Sequence, residues 1–476
     1  MMRTVLAAPG ESPRPVMWRA FASLLTSFVF VGASAAVPGQ AGNDPTTVIR
    51  PAWVIDATGQ PPRAGMAIVI RGGRIARIDS RDRIGEVPGA RVIDLPGETL
   101  LPGLIDTHSH LVLRYADGGV LGLHAQREAP PNAQMLTVVR TARVQLLCGV
   151  TTLRQTGEPN FNDILLRDAI SAGTQVGPRI IASGPHITNT GSHNAGSSGV
   201  DGAENIRAAV RRNFQRGAEW IKLTQLDATP ESGQMAFDDI KAAADEAHRL
   251  GLKVTVHATG RWGSAIRTAV KAGVDNIEHA RPLTPEIVKL MLEHGTSASL
   301  TPYVYIGWRP TPQTWRMMDD GVASGQEWVA YLAKEFEAYR RAHPQQETVD
   351  RAYEDNEPGR ASRDLFQAVR TVQQQYLHAW KAGLPFSLGS DGFYGVMTLQ
   401  IEFLVEAGIP PMAAIQSATS VAARLVGYGD RIGTIEPGKF ADLISVEGNP
   451  IDDIRALRRI RLIMKDGVRY DGLSWR

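Results

Sequence analysis

The chain has 476 residues, 43% hydrophobic and 21% charged, a size and balance that suit a globular protein with one large domain and one smaller one. Its formal net charge of +2 comes with no basic stripe interleaved with aromatics, so neither nucleic acid nor an anionic membrane surface is expected as a partner. The single cysteine, Cys148, excludes an intrachain disulfide and a cysteine-based zinc cluster.

The first informative element is the apolar run from Phe21 to Val31, which ends in Gly32-Ala33-Ser34-Ala35-Ala36 and has Arg14 and Arg19 upstream. This is a secretory signal pattern over residues 1–36, with cleavage near Ala35 or Ala36, and it is short for a membrane span. The prolines and the acidic residue among the first sixteen positions are unusual ahead of such a segment, which makes Met17 a candidate for the true start. An uncleaved anchor is the alternative. Otherwise the mature chain is expected to be exported, periplasmic or secreted, and free of the membrane.

Residues 47–101 read as short strands separated by Gly-Gln, Gly-Gly and Pro-Gly turns: Val48-Ile49-Arg50, Ala67 to Ile70, Arg74 to Ile78 and Val92 to Leu95. Residues 426–476 have the same character, with Ala441 to Val446 and Ile460 to Met464 ahead of an Asp466-Gly467 turn. Neither end carries enough apolar surface for a core of its own. The two are expected to meet in one small β-sandwich.

Between them, residues 102–425 alternate apolar strands with helical stretches, the pattern of parallel βα units. Eight strands are predicted, through Leu104-Ile105-Asp106, Thr151 to Leu153, Arg179 to Ala182, Trp220 to Leu223, Val254 to His257, Asn276 to His279, Ser297 to Leu300 and Phe386 to Gly389. The fold class is therefore α/β, a (β/α)8 TIM barrel with the small β-domain attached. Cys148, inside the apolar run Val144 to Val150, is read as buried packing and not as a nucleophile. The stretch at about 305–380 is too long for one βα unit and is read as a helical insertion. It serves either as a lid or dimer contact, giving a homo-oligomer, or as a solvated decoration.

The strongest chemical signal is Asp106-Thr107-His108-Ser109-His110 at the end of the first barrel strand. Residues i and i+2 of a strand share a face, so both imidazoles can reach one ion. Lys222, His257, His279 and Asp391 also fall at C-terminal ends of predicted strands, the face where barrel enzymes build their sites. Taken singly, each has an ordinary reading: His257 and His279 as satisfied core residues, Lys222 as a rim lysine, Asp391 as a helix N-cap before Gly392. Six such residues at one rim point instead to a metal centre.

Pro102-Gly103-Leu104-Ile105-Asp106-Thr107-His108-Ser109-His110 resembles the opening motif of the amidohydrolase superfamily. Gly217 to Lys222, Val256-His257-Ala258, Ile277-Glu278-His279-Ala280, Gly389-Ser390-Asp391 and the tail Gly433 to Leu443 resemble its later motifs in the same order. The nearest groups are the prolidase-like dipeptidases, with imidazolonepropionase-like and mycotoxin-amide hydrolases. The resemblance implies two divalent ions, zinc by default with manganese or cobalt as alternatives. It implies that Lys222 is carboxylated and bridges the ions, that His108, His110 and Asp391 hold the buried one, and that His257 and His279 complete the other. Ions about 3.5–4 Å apart share a hydroxide, with Asp391 as its proton acceptor. The site then carries roughly one net positive charge, which favours a dipeptide or N-acyl amino acid, small molecules with a carboxylate near the scissile amide.

His193, in Thr190-Gly191-Ser192-His193-Asn194, resembles a family loop histidine that donates to the substrate, against a structural turn histidine. Two departures bear on the substrate: His257-Ala258-Thr259 replaces a His-Ala-His pattern, and Ser192 replaces a glycine. Arg261 and Tyr303 are carboxylate binders by position alone. Deaminases and single-metal ring hydrolases lack a bridging lysine, so Lys222 argues against them; hydantoin- or dihydroorotate-type ring hydrolysis keeps one and stays open. A metal-free scaffold on a decayed barrel would show gaps in the ligand set, and none is visible.

Overall fold

The computed structural model describes residues 46–113, 129–192, 199–305, 325–342 and 365–471. The signal-like segment and His193 lie outside these described residues. Five strands of the N-terminal segment, β1 (Thr47–Val54), β2 (Arg63–Ala64), β3 (Met66–Arg71), β4 (Arg74–Ser80) and β5 (Arg91–Pro102), form a sheet with the C-terminal strands β14 (Leu443–Glu447), β15 (Ile460–Lys465) and β16 (Val468–Arg469). The sheet runs in the order β16-β15-β14-β5-β1-β3-β4, with β2 beside β1. β1 and β5 pair in parallel, while β14 lies antiparallel to β5 through Leu443 opposite Pro102.

Alternation explains its interior. Ile49, Ile68, Ile70 and Ile75 from one end of the chain bury against Leu443, Leu462 and Met464 from the other. The sheet also curls on itself, because the Gly73 carbonyl accepts from Ala441 N at 2.8 Å. The expected sandwich is thus one continuous mixed sheet folded over, and neither half closes without its partner.

The barrel strands are β6 (Leu104–Ser109), β7 (Val150–Gln155), β8 (Arg179–Ile181), β9 (Trp220–Leu226), β10 (Lys253–Thr259), β11 (Asn276–Arg281), β12 (Ser297–Leu300) and β13 (Phe386–Leu388). All pair in parallel, in one run of β6-β7-β8 and one of β9 to β13. Two seams close the ring. Ile187 N donates to Lys222 O at 2.8 Å, and Asp391 N donates to His108 O at 2.8 Å.

Outward residues of β9 and β10, Ile221, Leu223, Val254 and Val256, pack in the same core as Ala243, Ala244 and Ala247 of the helix Phe237–Arg249. That helix keeps Asp238, Lys241, Asp245 and Arg249 exposed on its other face. Inward residues are polar: Thr107 Oγ1 bonds Ser299 Oγ (3.0 Å), Ser387 Oγ (2.8 Å) and the Leu388 carbonyl (2.9 Å). Barrel interiors are more often filled with branched apolar side chains. Here a polar layer lies under the C-terminal rim.

The stretch expected as an insertion contributes the helices Gly325–Ala342 and Leu365–Lys381 among the described residues. Trp328 of the first is buried and donates to the Tyr394 carbonyl at 3.0 Å, so this helix is packed rather than decorative.

Candidate metal centre

The rim of the barrel gathers the histidines. His108 and His110 stand edge to face with ring centroids 4.9 Å apart, His108 and His279 at 4.5 Å, and His257 and His279 at 4.4 Å. Asp391 Oδ1 lies 2.8 Å from His108 Nε2 and 3.3 Å from His110 Nε2. The ligating atoms of these three residues all lie within 4.8 Å of one another. Lys222 Nζ bonds Glu278 Oε2, and that oxygen is 3.2 Å from His108 Nδ1. The structure therefore brings six predicted residues, from β6, β9, β10, β11 and the loop after β13, to one place.

Regular strands would not bring the neighbours Thr107 and Glu278 to the same interior as well. Thr107 and His108 are consecutive yet both face the interior, because β6 advances three residues (Asp106 to Ser109) while β7 advances two. In β11 the same shift, Glu278 to Arg281 opposite His257 to Thr259, turns both Glu278 and His279 inward. Each is a bulge that re-aims a side chain. His279 sits at φ +63° and Asp391 at φ +52°, left-handed conformations that are uncommon for residues with a Cβ.

Neighbouring groups hold this arrangement. Asp106 accepts from Ser390 N (3.0 Å), Ser390 Oγ (2.5 Å), Gln145 Nε2 (2.9 Å) and His108 N (3.1 Å), tying the Asp391 loop to the first strand. Burial pushes its carboxyl up to about 6 despite those bonds. His279 Nδ1 pairs with Thr301 Oγ1 at 2.7 Å, and His257 Nε2 with Thr259 Oγ1 at 3.3 Å. Arg154, 1% exposed in its side chain, donates to the Thr107 carbonyl and to Asn276 Oδ1 and lies 3.7 Å from Glu278 Oε1.

The donor set fits a divalent ion. Burial lowers the imidazolium pKa of His108, of His279 and, to about 3, of His110, so the rings are neutral and offer lone pairs. Burial alone would raise Asp391, but the charge of His108 whenever that ring is protonated, together with the bonds from His108 and His110, outweighs it and holds the carboxyl well below its usual value. Neutral imidazole beside anionic carboxylate is the chemistry that zinc, manganese or cobalt takes. Cys148 is buried in the core, where desolvation raises its thiol pKa and takes it out of the chemistry.

The remaining predicted residues are placed differently. Arg261 is exposed on the loop after β10. Tyr303 is 2% exposed, with its ring 5.0 Å from Phe336, and lines a cavity of about 390 Å³ with Glu402 and Arg458 that none of the six clustered residues lines. The sequence reading did not single out Glu278, Arg154 or Thr301. Glu278 had a visible signal, a carboxylate between Ile277 and His279 on a strand otherwise expected to be buried.

Residues 99–469 match the model of the amidohydrolase family. Ochratoxinase from Aspergillus niger is 26% identical over 473 residues, covering 90% of this chain and 87% of that protein. A solved Xaa-Pro dipeptidase with bound methionine in its active site is 30% identical, with a TM-score of 0.69 over 90% of this chain and 100% of its own. A prolidase solved with N-methylphosphonate-L-proline is 25% identical, with a TM-score of 0.69 over 89% of this chain and 99% of its own. An imidazolonepropionase of Anaeromyxobacter dehalogenans is a more distant relative, 26% identical over 318 residues, 58% of this chain and 73% of that protein. The chain belongs to the amidohydrolase family, as a metal-dependent enzyme that hydrolyses C–N bonds.

Proposed function

We propose that the chain cleaves the amide bond of a small carboxylate-bearing substrate, a dipeptide or an N-acyl amino acid, with two metal ions. The observation that carries this reading is Lys222: its amine reaches the Glu278 oxygen beside His108, inside the histidine cluster. A one-metal ring hydrolase or deaminase has no use for a lysine there. Carboxylation of Lys222 forms an N–C bond between its neutral amine and CO2 with release of one proton, and turns a buried cation into an anionic bridge. His108, His110 and Asp391 would hold one ion with that bridge, and His257 and His279 the other. When bound, such ions supply Lewis-acid polarisation of the scissile carbonyl and lower the pKa of water.

The chain's own residues supply the rest. Asp391 stays anionic in its pocket, so it can accept the proton of the attacking water and return it to the leaving amine. His193 is proposed to donate to the substrate carbonyl or carboxylate, and Arg261 to meet its carboxylate. The bound methionine and the proline phosphonate in two similar structures are ligands of that chemical class and support the substrate assignment. Export to the periplasm or medium is proposed on the apolar segment at residues 21–31 alone.

The test is metal-loaded protein assayed against a panel of dipeptides and N-acyl amino acids, with hydantoin and dihydroorotate alongside. Expected are turnover of the open-chain amides, two metal equivalents per chain, and loss of both in Lys222→Ala. Activity confined to the cyclic amides would replace the proposal with the ring-opening alternative.

A further inference from the structure

The loop after β10 is built around a residue that no step above employs. Asp227 follows the last residue of β9, and its Oδ2 accepts from Trp262 N and Gly263 N, each at 2.7 Å. Its Oδ1 accepts from Ala265 N at 2.5 Å and Ser264 Oγ at 2.8 Å. Its own N–H donates to the Thr259 carbonyl at 3.1 Å. One carboxylate thus staples the loop that follows the Lys222 strand to the loop that follows the His257 strand.

The approach is close enough to dictate the local sequence. A Cβ at Gly260 would stand 2.4 Å from Asp227 Cβ and Cγ, and Gly263 takes φ +68°. With Gly260 and Gly263 fixed as its feet, the loop has Arg261 and Trp262 as its tip. Arg261 is exposed, and Trp262 keeps 41% of its surface open on the same barrel face as the histidines. The tip lies two residues beyond Thr259, whose hydroxyl touches His257. An indole left in water at a rim, on a loop fixed to one carboxylate by two of its own N–H groups and by the first two residues of the helix Ser264–Lys271, is a preformed apolar contact beside a cation.

We propose that Asp227 is a positioning residue for substrate selection: it holds Arg261 and Trp262 at the barrel mouth as a paired site for a carboxylate and the large apolar side chain next to it. The two groups leave the same carbon of an amino acid, so two adjacent residues of one rigid loop can meet both. The inference rests on the reading of the enzyme as an amide hydrolase for carboxylate-bearing substrates, and it names the side chain that reading leaves open.

The test uses the full metal-loaded chain and the variants Trp262→Ala and Asp227→Asn, which keeps the shape of Asp227 but turns one acceptor into a donor. KM and kcat are measured for Gly-Phe and Gly-Gly, with metal content and calorimetric binding of free phenylalanine and glycine alongside. The wild type should favour Gly-Phe in KM. Trp262→Ala should shrink that preference about tenfold through KM rather than kcat, with metal content unchanged. Asp227→Asn should raise KM for both peptides, because it releases Arg261 together with Trp262. A KM ratio and phenylalanine affinity that Trp262→Ala leaves intact would overturn the proposal, as would an Asp227→Asn protein with wild-type KM values. Phenylalanine binding that depends on Trp262 without cleavage of either peptide would retain the paired site and sink the hydrolase reading instead.

Discussion

Asp391 is the residue whose replacement separates chemistry from architecture. Its Oδ1 is the point on which His108 Nε2 and His110 Nε2 converge, at 2.8 and 3.3 Å, and its backbone sits at φ +52° while its N–H bonds the His108 carbonyl at 2.8 Å. Asparagine tolerates the left-handed region about as well as aspartate and leaves the backbone bond in place. Asp391→Asn therefore removes a negative charge and a proton acceptor without disturbing the loop. Loss of a general base alone costs about 10²–10⁴ in rate, and the weakened metal ligand adds to it. The expected fall in kcat/KM is about 10³ or more, or roughly 4 kcal/mol of transition-state stabilisation. Its stability should change by less than about 1 kcal/mol, whereas Asp391→Ala should lose about 1–2 kcal/mol more, because alanine has no local hydrogen bond to offset the left-handed strain. Dipeptide kinetics, elemental analysis of bound metal and urea unfolding on the three proteins give all the quantities. An Asp391→Asn enzyme within tenfold of wild type at full metal content would refute the role of Asp391. Equal stability of the two variants would refute the strain argument.

The metal-free protein should be pH-sensitive in a definite direction. Burial keeps His108, His110 and His279 neutral in the fold, while the unfolded chain protonates them near their ordinary value of about 6.5. The unfolded state then binds more protons as pH falls below that value, so stability drops, by up to about 1.4 kcal/mol per pH unit per histidine. Asp106 and Asp163, lifted by burial to about 6, work the other way between their unfolded value and about 6, as do Asp239, Glu402 and Asp442, whose carboxyls burial also raises, but the three histidines oppose them over the whole range below about 6.5. The urea midpoint of chelator-treated protein should fall between pH 7.5 and pH 5, and a flat or rising midpoint would mean the rings are charged when folded. At Gly389, an added Cβ would lie 2.3 Å from His108 Cβ and 2.9 Å from its backbone N, neither of which can step aside. Gly389→Ala should cost about 1–3 kcal/mol by overpacking, and it should lower metal occupancy because the group displaced is His108. Unfolding and metal analysis of that variant check both parts, and wild-type occupancy would show that the seam is looser than the geometry implies.

Most of the candidate site was legible in the sequence because it depends on strand ends. His108, His110, His257 and His279 each follow an apolar run, and the handedness of βα units sends such ends to one rim, whereas Lys222 stands third in the seven-residue β9 and reaches the cluster from further down the barrel. The composite β-domain was legible for a similar reason, since two groups of alternating strands, each too small for a core, leave each other as the only apolar partner. Tyr303 was legible only as an aromatic past a strand end. Its burial is settled by Phe336, on a helix more than thirty residues away, and no local pattern encodes that contact.

What periodicity could not convey is the offset in β6 and β11. Strict alternation would send His108 to the face opposite Thr107, and His279 opposite Glu278, so the interior would hold one member of each pair and not both. The extra residue in each strand brings polar neighbours to the same interior, and the fold must then satisfy them. Arg154, itself burdened by a desolvation that pulls its pKa down to about 9, answers the Thr107 carbonyl and faces Glu278, while Thr301 meets His279. Asp106 does the same for Ser390 and so fixes the turn that carries Asp391. The metal-binding geometry and the buried polar layer therefore have one origin. A bulge that turns a ligand inward also turns its neighbour inward, and a charged interior is the structural consequence.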